Sequence, residues 1–201
     1  MFYYIVSDIN IPFWQIISKG IKDKSNELGY EIHIYSSNNL KKNELENLAS
    51  AISLKIDGLI ISPINSSTAS TLLEIANMNK IPTIVADIGS DSQDYLSFIS
   101  SDNKKGAYEL GKILSKYMKS LSWNKEGTVG IIAIPQKRLN GKDRTIGFIQ
   151  ALDEESIKVS GFYQQVDFSY EETYNYSKKL IEENKNLRAI WLQGSDKYKG
   201  A

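Results

Sequence analysis

The residues able to do chemistry gather in seven short stretches: "SDINIPFW" (7–14), "SSNN" (36–39), "SPINSS" (62–67), "DIGSD" (87–91), "SSDN" (100–103), "PQKRLNGKDR" (135–144) and "QGSDKY" (193–198). Together they hold hydroxyls, amides, carboxylates, arginine and a pair of large aromatics. Small polyols suit this mixture: carboxylates and amides exchange hydrogen bonds with hydroxyls, arginine offers a planar fork, and aromatic faces cover the C–H side of a ring. Helix caps and turns favour the same residues, so composition alone leaves both readings open. Catalysis is poorly served. There is no cysteine and a single histidine, His33, which lies in "EIHIY" where Ile32 and Ile34 alternate with it as in a strand, and no serine or cysteine elbow accompanies it. "GKDRT" around Lys142 lacks the upstream glycine spacing of a phosphate loop. Neither an enzyme nor a cofactor is expected.

The 201 residues carry 24 lysines plus arginines against 24 aspartates plus glutamates and are 41% hydrophobic, which describes a globular chain without a nucleic-acid footprint. No apolar run approaches the roughly 18 to 20 residues that span a bilayer, and the start lacks the basic and apolar regions of a signal peptide. The absence of cysteine removes disulfides and thiolate metal sites.

Each polar stretch follows an apolar run, so the runs must position the chemistry. "FYYIV" reads as a strand buried on both faces. Phe13, Ile17, Ile21 and Leu28 recur at helical spacing up to Gly29, and "EIHIY" follows as a strand. Leu45, Leu48, Ile52 and Leu54 mark a helix and "DGLIIS" a strand. Ser67 and Thr68 are placed to cap a helix through Leu72, Leu73, Ile75 and Ala76, and "IPTIVAD" is a fourth strand. After "LSFISSDN" the pattern restarts: a helix on Ala107, Leu110, Ile113, Leu114 and Met118, the strand "GTVGIIAI", a helix over 143–152, then "VSGFY", the helix "YEETYNYSKKLIEE" and "LRAIWLQ". Strict alternation predicts two α/β units of parallel sheet covered on both faces, over 1–102 and 103–201, without a flexible linker. They are expected to meet across a cleft, with ligands outside the carboxyl ends of the strands.

Asn10-x-Pro12-Phe13-Trp14, "DGLIISP", "IPTIVAD", "SSDN" with Gly106-Ala107, Arg144 with Gly147-Phe148 and Ala151-Leu152, and Ala189-Ile190 with Lys199-Gly200-Ala201 occur in an order that resembles the type I periplasmic binding protein superfamily, in particular its ribose-binding-protein-like solute receptors. Effector domains of the lactose-repressor family share the core. The resemblance runs from Phe2 to Ala201. It implies two Rossmann-like three-layer α/β/α domains around a hinge cleft, with final strands of both lobes lying beyond "KYKGA", so the intact protein is expected to be longer.

By the same resemblance, Phe13 and Trp14 clamp one face of a ligand, Asp87 accepts from ligand hydroxyls, and Arg144 binds ligand oxygens from the second domain. Ser7, Asn10, Ser62 and Ser101 lie close to the pocket, and Phe168 matches a second-domain aromatic. Plainer readings stay open: Trp14 as core, Asp87 as a turn residue, Arg144 as a solvated helix residue. Ile11 and Ile88 stand where ribose-type receptors carry an asparagine and an arginine, and Gly194 and Ser195 where they carry an Asn-Asp pair. These departures point to a non-standard sugar or to a methylated amine held in an aromatic cage that Tyr35 would join. The implied protein is a periplasmic or membrane-associated extracellular receptor, monomeric or weakly dimeric. Its partner would be an ABC-type transporter or a membrane sensor, without direct nucleic-acid contact. The alternatives are the sensing domain of a histidine kinase or cyclase system and the effector domain of a regulator.

Overall fold

The structure is a computed structural model that describes residues 1–166, 169–194 and 199–201. The chain divides into two compact units, Met1–Ser101 and Asp102–Ala201. Asp102 belongs to the second unit because its side chain accepts from the Lys105 N–H at 2.9 Å and so caps the first helix there.

In the first unit, β1 (Phe2–Val6), β2 (Ile32–Ser36), β3 (Gly58–Ser62), β4 (Thr83–Ala86) and β5 (Ser97–Ile99) form a parallel sheet in the order β2-β1-β3-β4-β5. The three-residue β5 was not expected; it carries too few residues for periodicity to register. Between the strands run α1 (Pro12–Glu27), α2 (Lys41–Ser53) and α3 (Ser66–Met78). Strand alternation sends Tyr3 and Ile5 to one face, against Leu48 and Ala51 of α2 and Leu72 and Leu73 of α3. Tyr4 and Val6 go to the other face, against Trp14, Ile17 and Ile21 of α1. The cap of α3 is Asn65, in a reciprocal box with Thr68, rather than Ser67 or Thr68 itself, because only Asn65 has extended backbone and an acceptor reaching the Thr68 N–H at 2.9 Å.

The second unit holds β6 (Thr128–Ala133), β7 (Lys158–Gln164) and β8 (Leu187–Leu192) as a parallel sheet in the order β7-β6-β8, with α4 (Asn103–Ser120), α5 (Leu139–Asp153) and α6 (Tyr170–Glu183) around it. Val129, Ile131 and Ala133 face Met118 of α4 and Phe148 and Leu152 of α5. On the opposite face a side chain at Gly130 or Gly161 would collide with Leu180 of α6. Both units are therefore three-layered, a helix layer on each face of a parallel sheet.

Two expectations shift here. Helix α5 begins at Leu139, four residues earlier than its apolar spacing indicated. Helix α4 buries Ala107, Gly111, Ser115 and Met118, while Leu110 and Ile113 are exposed. Close approach of α5 selects the small face: a Cβ at Gly111 would lie 2.7 Å from the Ala151 Cβ, and one at Gly147 would strike the Lys104 carbonyl. Lys112 straps the same pair, reaching Glu155 at 2.8 Å and Glu154 at 3.4 Å, and Lys119 also pairs with Glu155. Hydrogen bonds from these lysines hold the Glu155 carboxyl down at about 2. No helix among the described residues is long and apolar enough to cross a membrane.

Candidate functional site

The carboxyl end of β1 sets the geometry of the first unit. Asp8 Oδ1 accepts from the backbone N–H of Asn10 at 3.0 Å and from its side-chain amide at 3.1 Å, closing a turn that aims Asn10 outward, and Asp8 Oδ2 accepts from Asn39 at 3.1 Å. Pro12 then opens α1, where its missing N–H costs nothing. Phe13 and Trp14 are consecutive on that helix, and a turn of about 100° per residue points them in different directions. Trp14 turns inward, 3% exposed, among Tyr4, Val6 and Ile88, whereas Phe13 is 47% exposed and meets the Trp14 ring edge-on at 4.8 Å. The expected two-ring clamp is thus divided: Phe13 offers a face, and Trp14 is core that braces it.

Tyr35 does not join them. It lies beside Ile5 in the sheet register, on the α2–α3 face, stacked on Tyr3 at 4.9 Å, whereas Trp14 is on the α1 face. A one-residue step along a strand exchanges faces, so the cage expected from Tyr35 is corrected on geometric grounds. Ser7 and Ser62 are both fully buried beneath the strand ends and do not line an open surface. The Ser7 hydroxyl has no hydrogen-bond partner, while Ser62 Oγ pairs with the Tyr4 hydroxyl at 2.8 Å. Ser101 is exposed at the end of the unit, its carbonyl accepting from Ser100 Oγ at 3.0 Å.

Asp87 follows β4, half-buried, with φ of +66°, a left-handed conformation that side chains with a Cβ rarely hold. Its N–H donates to the Ile99 carbonyl at 2.8 Å, which ties it to the end of β5. Burial, reinforced by the Asp87 charge and opposed by the Ser62 hydrogen bond, pushes the Tyr4 phenol up to about 12. Tyr4, in the middle of β1, thus reaches Ser62 at the end of β3, and Asp87 follows the end of the neighbouring β4. Ile88 beside it is fully buried against Trp14 and Tyr4, and Ile11, half-buried, packs on the same cluster. The two isoleucines complete an apolar floor.

In the second unit Arg144 lies half-buried on the first turns of α5. Its Nε donates to Asn103 Oδ1 at 2.7 Å and its Nη1 to the Gln193 carbonyl at 3.0 Å. Gln193, 6% exposed, is the hub: its N–H donates to the Ile132 carbonyl, its Oε1 accepts from the Ile134 N–H at 3.1 Å, and its Nε2 donates to Thr145 Oγ1 at 2.6 Å. Four elements, β6, β8, α4 and α5, thereby fix one guanidinium. Arg144 is thus not a solvated helix residue. Phe168 lies outside the described residues.

Sequence reasoning missed Tyr4, Asn103, Thr145 and Gln193. Asn103 and Gln193 stood in the polar stretches and were available to it. Tyr4 was hidden in an apolar run, and its partner Ser62 is 58 residues away. Among the described residues no group of acidic, histidine or cysteine side chains could hold a metal.

The chain resembles known proteins over nearly its whole length. It is 28% identical over 198 residues to the ribose import binding protein RbsB of Haemophilus influenzae, covering 98% of this chain and 65% of that protein. It is 24% identical over 192 residues to the HTH-type transcriptional repressor PurR of Edwardsiella ictaluri, covering 94% of this chain and 54% of the repressor. A solved carbohydrate transporter solute binding protein from Agrobacterium radiobacter, in complex with D-arabinose, superposes with a TM-score of 0.87 at 22% identity, covering 95% of this chain and 65% of that one. The chain thus spans less than two thirds of the length of these relatives. The model of the periplasmic binding protein domain matches residues 2–201, and the chain belongs to that family.

Proposed function

We propose that this chain is the ligand-binding part of a receptor that takes up a small sugar outside the cytoplasmic membrane, closes on it without chemistry, and presents the closed form to an ABC-type importer. The observation that carries the reading is Asp87, a carboxylate held in a left-handed conformation at the carboxyl end of β4. Aspartate is one of the few residue types that adopt this conformation readily, and an acceptor at a strand end serves ligand hydroxyls. Phe13 supplies an apolar face for the C–H side of a ring, Asn10 an amide nearby, and Arg144 a fork whose orientation is set before any ligand arrives. Ligand-induced closure needs only that the sugar bind the closed arrangement better than the open one.

A sugar fits better than a methylated amine. A quaternary ammonium calls for several aromatic faces, and among the described residues Trp14 is packed as core and Tyr35 lies on the other face of the sheet, which leaves Phe13 exposed at this strand end. The likeness to a transcriptional repressor over 94% of the chain supports a second reading, the effector domain of a regulator. Sequencing the gene upstream of Met1 separates the two: a signal peptide marks the receptor, a helix-turn-helix the regulator.

The direct test is a thermal-shift titration of purified protein with D-ribose, D-arabinose and trimethylamine N-oxide. At about one hundred times Kd, mass action stabilises the folded state by about 2.7 kcal/mol, a clear rise in Tm for one of the sugars. A protein that stays folded and ligand-free yet responds to neither sugar overturns the proposal, and a response to the amine alone replaces it.

A further inference from the structure

Tyr4 is out of place for a purely structural residue. It sits in the middle of β1, 0% exposed, between Ile34 and Ile60 in the sheet register, where an apolar ring would fill the same space. A phenol there must find a hydrogen-bond partner or lose its solvation. Its partner is Ser62 Oγ at 2.8 Å, also fully buried, at the end of the neighbouring strand. Ser62 ends β3 one step past the Ile61–Val85 pair of the register, level with Ala86 at the end of β4, and Asp87 is the next residue. Replacing both members of a buried hydroxyl pair by apolar groups of the same shape is close to neutral for stability. Stability therefore gives little reason to place a tyrosine opposite a serine at this level of the sheet.

We propose that Tyr4 is a positioning residue for sugar binding: its hydroxyl fixes the Ser62 hydroxyl beside the strand end that carries Asp87, so that the polar groups there are ordered before the ligand arrives. This rests on the sugar-binding reading above and adds to it a residue that no strand-end pattern reveals. A lone serine hydroxyl rotates freely, and a hydrogen bond to a buried phenol, whichever oxygen donates, restricts it. The Tyr4–Ser62 pair adjoins the strand end from which Asp87 projects, so an ordered hydroxyl there limits how the neighbouring polar groups rearrange. Tyr4 is fully buried in one apolar cluster with Ile88 and Trp14, which leaves its ring little room to turn.

The test is a double-mutant cycle read twice, in stability and in affinity. Tyr4→Phe, Ser62→Ala and the double variant are compared with the parent by unliganded Tm and by calorimetric Kd for D-ribose and D-arabinose. Each single variant strands one buried hydroxyl and is expected to lower Tm, while the double variant recovers most of that loss. In affinity the double variant does not recover: its Kd for the sugar the parent binds is weaker by roughly five- to tenfold, about 1 to 1.4 kcal/mol. If the Kd of the double variant matches that of the parent, the pair is structural and the proposal is overturned. Should Tyr4→Phe fail to fold, the comparison of Ser62→Ala with the double variant carries the same decision. A parent protein that binds neither sugar overturns the sugar-binding reading itself, a result distinct from a parent that binds and a pair that makes no difference.

Discussion

Asp87 holds its carboxylate by accepting a backbone conformation that costs about 1 kcal/mol for a residue with a Cβ. That cost is separable from the carboxylate. Asp87→Ala and Asp87→Gly both remove the acceptor, and both are expected to lose sugar affinity at least tenfold. They differ only in the backbone, where glycine tolerates φ of +66° and alanine does not. The glycine variant should therefore melt roughly 2 to 4 °C above the alanine variant. Equal melting temperatures would mean that residue 87 is not strained. The same position illustrates what single residues disclose in a sequence. Asp87 and Arg144 are readable because each stands at the boundary between an apolar run and a polar stretch. The division between Phe13 and Trp14 was also within reach, since a helix opening at Pro12 must point consecutive residues about 100° apart. Tyr4 was not, because a continuous apolar run conceals which face each residue takes and a hydroxyl partner on another strand leaves no local trace.

At the level of elements, the strand-helix alternation was legible throughout because each run is long enough to show its period, and β5, with three residues, was not. The more instructive departure is α4. Its large apolar residues Leu110 and Ile113 are exposed, and the buried line is Ala107, Gly111, Ser115 and Met118. Hydrophobicity finds the face that leaves water, whereas close packing of two helices selects the face that leaves room. Glycine positions make the distinction measurable. Gly20, within α1, has no atom within 4 Å of where a Cβ would stand, so Gly20→Ala should stabilise the protein by about 1 kcal/mol through helix propensity alone. Gly147 in α5 lies against the Lys104 carbonyl, and Gly147→Ala should destabilise by about 1–3 kcal/mol by forcing the helices apart. Urea midpoints at constant slope read both. A Gly147→Ala variant as stable as the parent would remove the close α4–α5 approach and with it the explanation of the exposed leucine and isoleucine.

For the whole molecule, the proposed function makes a demand that neither unit meets alone. Asp87 belongs to Met1–Ser101 and Arg144 to Asp102–Ala201, and the chain passes between the units at a point where Asp102 is already committed as a helix cap. Arg144 is fixed within its own unit by Asn103 and Gln193, and Asp87 within its own by the Ile99 carbonyl. On the proposed reading, a sugar held by both residues is expected to draw the units together as bodies rather than by side-chain adjustment alone. Small-angle scattering reads that motion directly. Saturating sugar should lower the radius of gyration towards the roughly 17 Å of a compact chain of this length. Arg144→Ala removes the second hold but leaves Phe13, Asn10 and Asp87, so this variant should still bind, at least tenfold more weakly, without the accompanying compaction. The energetic reason is that a ligand shifts a conformational equilibrium only by its difference in affinity for the two states. On the proposed reading, loss of the Arg144 bond leaves the sugar little difference in affinity between the two states, so occupancy is expected to stop driving closure. A parent protein that binds sugar with an unchanged radius of gyration would show that recognition is completed within one unit, and the closing receptor would have to be given up while the sugar site remained.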